Sequence, residues 1–218
     1  MNFDWLYVLE ILPELLDATL ITIRIALSGY LVALILGLAF AFARMSQNRM
    51  ISTIVWAFSE CIRLTPILVQ LFFAYYVLPE IGIKLPAEPT GILVIGLHYG
   101  TYISEVYRSG IRAVSTGQWE ATIAMSLPRP RVWLKIILPQ AIRPMIPALG
   151  NYLIQLFKEV PLLSTITVYE LLNTANLLAG SSFKYLEALT LVGVIFLALS
   201  YPSSLFFKHL EAKNVNDY

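Results

Sequence analysis

The sequence predicts an all-α integral membrane protein of five transmembrane helices, with its N-terminus outside and its C-terminus inside. Three observations lead there. The chain of 218 residues is 58% hydrophobic and only 13% charged, with mean hydropathy +0.72, whereas a soluble domain carries about 25% charged residues. The apolar residues come in long uncharged runs: Ile25 to Ala43 and Ala188 to Phe207 hold no charge, and each is long enough for a hydrocarbon layer about 30 Å thick. Lys and Arg are also distributed unevenly between alternate connections, which sets orientation.

The elements follow in order. The first span is drawn near residues 18–43, the second near 54–78, the third near 89–109, the fourth near 144–165 and the fifth near 185–207. Spans two to four are weaker, because Glu60 and Arg63, His98 and Glu105, and Lys158 and Glu159 fall within them. Between these charges, Leu64–Leu78, Pro89–Ser104 and Pro144–Phe157 are otherwise uncharged. The connections after spans one and three and the C-terminal tail carry Arg44, Arg49, Arg108, Arg112, Arg129, Arg131, Lys135, Arg143, Lys208 and Lys213. The opposite connections carry only Lys84 and Lys184. The basic side is cytoplasmic by the positive-inside rule, and an odd number of spans then places the termini on opposite sides. Residues 1–17, with Asp4, Glu10, Glu14 and Asp17 among leucines, read as a short helix lying on the outer surface.

Several functions are disfavoured. A net charge of +1 supplies no field for nucleic acid. The single cysteine, Cys61, excludes an internal disulfide, and His98 and His209 have no metal-ligand spacing. The acidic start lacks the basic n-region of a cleavable signal peptide. No G-x-x-x-x-G-K-[ST] phosphate loop and no H-E-x-x-H pair occurs in the chain. A self-sufficient carrier or channel would need more spans or an inverted repeat, and none is visible.

The informative connection is 110–143. It is too polar to span, and Pro128 and Pro130 interrupt it, so two short helices joined by a bend around 127–131 are expected. Residues 117–150 read GQWEATIAMSLPRPRVWLKIILPQAIRPMIPALG. This resembles the EAA loop of permease subunits of bacterial binding-protein-dependent ABC importers. Glu120 and Ala121 match the pattern, and Ile136, Leu138 and Pro139 stand at its spacing. Thr122 replaces its second Ala and Ser126 its Gly, which bears on the tightness of the bend. Arg63-Leu-Thr-Pro-Ile-Leu-Val-Gln, Tyr102-Ile-Ser-Glu-Val-Tyr-Arg, Pro147-Ala-Leu-Gly-Asn and Phe157-Lys-Glu resemble segments of the polar amino acid class. The wording around His98-Tyr99 and Glu105-Val-Tyr-Arg is similar to its ectoine and hydroxyectoine permeases.

The resemblance implies that 1–218 is a single ABC importer transmembrane domain with an EAA-type coupling loop between helices three and four. It implies a multi-pass protein of the bacterial inner membrane, itself no enzyme and without cofactor. Its implied partners are two copies of an ATP-binding subunit, a second permease chain, identical or homologous, and an extracytoplasmic solute-binding protein. Glu120, Ala121, Ala124, Met125 and Ser126 would contact the ATPase, with Trp119, Ile123 and Leu127 adding apolar surface. The alternative for the loop is a surface helix packed on its own protein.

Ionisable groups inside the bilayer are costly and need a partner or a watery path. Glu60 and Arg63, three apart, suit an ion pair. Arg24 can snorkel to the outer surface. His98 and Glu105 are seven apart and share a helix face. With Lys158 and Glu159 they either line a solute path offering both signs to a zwitterion, or form an ion-pair network holding spans three and four together. Ser104, Tyr99 and Tyr102 add hydroxyls near the same face.

Overall fold

A computed structural model of the chain describes residues 3–215. Nine α-helices, interrupted by short π and 3-10 turns, make up the described residues, and no strand occurs among them.

Helix α1 (Trp5–Arg44) starts at Asp4, whose carboxylate accepts from the Leu6 and Tyr7 amides at 3.0 and 3.1 Å. It is one unbroken helix with Pro13 inside it. The separate surface helix expected over residues 1–17 is therefore not seen. Tyr7, Ile11 and Leu15 are buried against α8 (Leu171–Ser182) and α9 (Tyr185–Val215), and this packing carries the helix through the proline. At 40 residues, α1 is about 60 Å long, longer than the bilayer core is thick.

Span two is bent. Helix α2 (Arg49–Leu64) and the helical run through α3 (Ile67–Phe72) to Ile81 meet at 104°. Pro66 removes an amide donor and disfavours helix at the residue before it. The freed carbonyls need partners inside a membrane. Thr65 Oγ1 donates to the Cys61 carbonyl at 3.0 Å, and Gln70 Nε2 donates to the carbonyls of Ile62 and Thr65 at 2.7 and 2.9 Å.

Helices α1 and α4 (Ala87–Ala113) run side by side in the same direction, with Gly29 against Ile95 and Gly37 against Ile103. A Cβ at Gly37 would lie 2.7 Å from Ile103 Cγ2, so only glycine permits this approach. Arg24 Nη2 donates to both carboxylate oxygens of Glu88, each at 2.8 Å; the sequence expected it only to snorkel. Helix α7 (Leu138–Glu159) runs back along α4, with Gly110 near Met145 and Gly91 near Leu163. A 3-10 turn, Val160–Ile166, then leads to α8. The buried Glu170 caps α8, accepting from the Leu172 and Asn173 amides at 3.0 and 2.8 Å.

Helices α1 and α9 are each long and apolar enough to cross a membrane alone, and the bent pair is so when taken together. Helices α4 and α7, with 27 and 22 residues, reach about 40 and 33 Å but carry the charges noted above.

Candidate functional site

Two regions bring together the residues marked by the sequence. The first is the connection between α4 and α7. It holds α5 (Thr116–Ala124) and the short α6 (Arg129–Val132), the two helices that the prolines predicted. Buried Val114, Val132, Ile137, Ala141 and Met145 form a core beneath them. Trp119 and Trp133 meet edge to face with centroids 5.5 Å apart, and Leu127 packs on the same core. Trp119 and Leu127 thus anchor the loop to its own protein instead of adding to an outward apolar surface. Thr122 is buried and its hydroxyl donates to the Trp119 carbonyl at 2.7 Å, which explains a residue larger and more polar than alanine there.

Glu120, Ala121, Ala124, Met125 and Ser126 are all exposed. Ile123 and Met125 are 76% and 68% exposed. The helix ends tightly: the Ser126 amide donates to the Ile123 carbonyl at 2.9 Å and the Leu127 amide to Thr122 at 3.1 Å. Ser126 has φ +50°, a left-handed conformation that glycine adopts most easily. The bend is kept despite the serine.

The second region is the polar surface inside the helices. Glu105 does not meet Lys158 or Glu159. It pairs with Arg44 of α1, with Arg108 one turn on at 3.0 Å, and with Arg63 of α2 at 3.5 Å. Arg63 also pairs with Glu60 at 2.5 Å, the contact expected from their spacing. The network ties α1, α2 and α4, not α4 and α7.

His98 lies apart from this network. Its Nδ1 is 3.1 Å from Gln70 Nε2 at the bend of span two, and its ring stands 5.5 and 5.3 Å from those of Tyr99 and Tyr102. Tyr152 of α7 joins them, 6.2 Å from Tyr99 and 5.8 Å from Tyr102. Arg63 sits over the Tyr102 ring at 5.9 Å. Ser104 is buried and donates to the Thr101 carbonyl at 2.6 Å, so its hydroxyl is satisfied inside α4. Lys158 is exposed and Glu159 half-buried on α7. Sequence reasoning missed Gln70, Tyr152, Arg44 and Arg108, whose roles arise from tertiary neighbours. No group of three His, Cys, Asp or Glu among the described residues could hold a metal ion.

Residues 29–215 match the sequence family described as binding-protein-dependent transport system inner membrane component. A probable amino-acid ABC transporter permease protein of Sinorhizobium fredii is 46% identical over 203 residues, covering 93% of this chain and 88% of that protein. The arginine transport system permease protein of Bacillus subtilis is 29% identical, covering 98% of each. Among solved structures, an amino acid ABC transporter crystallised with histidines matches with TM-score 0.90 and 28% identity, covering 98% of this chain and 100% of that one.

Proposed function

Because the chain belongs to the family of binding-protein-dependent transport system inner membrane components, and is the permease subunit of an amino-acid ABC importer whose ATP is hydrolysed by a partner subunit, we propose how it works and on what. It crosses the inner membrane five times, N-terminus outside and C-terminus inside, as one transmembrane domain. Two permease chains, identical or homologous, form the path and sit on two ATP-binding subunits, and an extracytoplasmic solute-binding protein delivers the solute. The solute is a polar amino acid or an amino-acid-like compatible solute such as ectoine or hydroxyectoine.

The observation that carries this reading is the outward face of α5. It presents Glu120, Ala121, Ala124 and Met125 to solvent from a helix anchored by Trp119 and buried Thr122. A rigid short helix with small residues suits docking into a groove of a motor subunit. His98, Lys158 and Glu159 remain available to a path, whereas Glu105 is engaged by three arginines. The ion-pair reading is therefore favoured for Glu105.

The test is uptake by vesicles that hold the chain with its ATPase and binding protein. Labelled L-arginine, L-glutamine and ectoine are offered in turn, and ATP-dependent accumulation of one class is expected. Accumulation of none, with the complex intact, would overturn the solute assignment. A reporter fused after Tyr218 that is active only outside the cytoplasm would overturn the topology.

A further inference from the structure

We infer that an exposed stripe running from α6 into the start of α7, formed by Arg131, Lys135, Pro139, Ile142 and Ile146, binds the headgroups of anionic phospholipids in the cytoplasmic leaflet. The inference rests on the inside placement of this connection proposed above and goes beyond it by naming a lipid partner.

Helix α6, the π turn Trp133–Ile137 and α7 follow one another without a break, so they form one helical run. Its beginning has three faces. Ile137, Ala141 and Met145, at four-residue steps, are buried, and the last two lie against Gly110 of α4. Trp133 and Gln140 meet α5, through the Trp119 ring and through the Gln118 side chain at 3.4 Å. Arg131, Lys135, Pro139, Ile142 and Ile146 stand three or four residues apart, the spacing of one helix face, and all five are exposed.

The stripe changes character along its length: its α6 end is basic and its α7 end apolar. Gly37 of α1 lies against Ile103 of α4, and the two helices run in the same direction. Gly110, seven residues on, is therefore level with Arg44, where the uncharged run of α1 ends. Ile142 and Ile146 flank Met145 at that level, the inner edge of the hydrocarbon. Lys135 comes seven residues before Ile142, about 10 Å further toward the cytoplasm, and Arg131 stands one turn beyond. The headgroup layer is about 5–8 Å deep on each side of a bilayer, and the long stems of lysine and arginine let their charged ends reach back to it. Acyl chains satisfy the isoleucines, and phosphate groups satisfy the cations.

The charge balance of the segment fits the same occupant. No Asp or Glu occurs between Glu120 and Glu159, whereas Arg129, Arg131, Lys135, Arg143 and Lys158 do. Among the described residues, neither Arg131 nor Lys135 makes an ion pair. The cytoplasmic leaflet carries negative surface potential that attracts such juxtamembrane cations. An ATPase docked on α5 fits the stripe less well, because α5 packs on a different face of the run and the isoleucines lead away from it into the span.

The experiment uses the complete complex with Cys61→Ser and a single new thiol, Ile142→Cys, labelled with a small fluorophore; Ile146→Cys serves should the first fail to assemble. The complex is placed in phosphatidylcholine vesicles that hold either brominated phosphatidylglycerol or brominated phosphatidylcholine, whose bromines quench on contact. The anionic lipid is expected to quench at a mole fraction at least ~5-fold lower than the neutral one. Adding Arg131→Gln and Lys135→Gln together should bring the two lipids to parity, whereas Lys84→Gln, before the other end of α4, should leave the preference unchanged. Equal quenching with both cations present would overturn the inference. So would an absence of quenching by either lipid, which would show that protein covers the stripe. An intact lipid preference in the double variant, with loss of the ATPase, would reassign the cations to the ATPase. Co-purification of the unmodified chain with an ATP-hydrolysing subunit is read in parallel, so failure of the importer reading would show there and not in the quenching.

Discussion

Arg44 at the end of α1 and Glu105 on α4 form an ion pair at the centre of a cluster, and Arg63 and Arg108 converge on the same carboxylate at 3.5 and 3.0 Å. Glu105 thus faces guanidinium groups from α1, α2 and α4, and shares Arg63 with Glu60. Glu105→Gln leaves Arg44 and Arg108 without their carboxylate, while Arg63 keeps Glu60. Breaking a fully buried pair costs about 3–5 kcal/mol. The Glu105 side chain is 37% exposed, so about 2 kcal/mol is expected here. For a chain of this size that lowers Tm by about 4–8 °C, readable by thermal unfolding of the purified protein. Uptake per assembled complex should be unchanged. A variant with normal Tm and no uptake would return Glu105 to the path.

Gly37→Ala should force α1 and α4 apart, because the added methyl would lie 2.7 Å from Ile103 Cγ2 and 3.0 Å from the Gly100 carbonyl oxygen. Overpacking of this kind costs about 1–3 kcal/mol. Ile103→Ala removes the clashing atom, so the double variant should be more stable than the sum of the two single effects. Gly193→Ala, with nothing within 4 Å of the new Cβ, is the control and should leave Tm unchanged or slightly raised.

These contacts mark the limit of sequence reading. The apolar runs placed α1 and α9, and Pro128 with Pro130 placed α5 and α6. Pro66 is visible in the sequence, and the 104° break between α2 and α3 follows from it. Pro13 misled in the other direction: tertiary packing of Tyr7, Ile11 and Leu15 on α8 and α9 keeps α1 whole. The partners of Glu105 were not legible, because Arg44 and Arg63 reach it only through folding.

Glu170, at the start of α8, should make stability depend on pH. Burial raises its pKa to about 6, against the lowering effect of its hydrogen bonds from Leu172 and Asn173; an unfolded glutamate titrates near 4.3. Between these values the folded chain binds more protons than the unfolded one. Stability therefore rises as pH falls through about 6 toward about 4.3, by about 2 kcal/mol at most. Glu170→Gln should flatten that part of the profile. The check is Tm against pH for both proteins, with an unchanged slope in the variant as the contrary result.

Ser126→Gly should stabilise the connection between α4 and α7. Ser126 holds φ +50°, where a Cβ is unfavourable and glycine is not. Part of the gain is offset by the greater freedom of glycine in the unfolded chain. A net gain of about 0.5–1 kcal/mol is expected, or about 1–4 °C in Tm, with coupling to the ATPase preserved because the bend is unaltered. A fall in Tm would show that the serine side chain supports the bend.

Ala121→Trp should separate the permease from its ATPase without unfolding the spans. The residue is exposed on α5, one position before buried Thr122, so a larger side chain points away from the protein's own core. Beneath it, the Trp119–Trp133 contact and the core of Val132, Ile137 and Ala141 are untouched. Any loss therefore arises at the surface that α5 presents. A bulky residue in a closely packed interface costs about 1–3 kcal/mol, about 5- to 150-fold in affinity for the partner. Glu120→Ala should cost less, because an exposed carboxylate contributes about 0–1 kcal/mol. The measurements are ATPase co-purification, ATP-driven uptake, and Tm of the isolated permease. Loss of the first two with unchanged Tm is the expected result. If Ala121→Trp left association and uptake intact, α5 would not be the element that transmits ATP-driven motion.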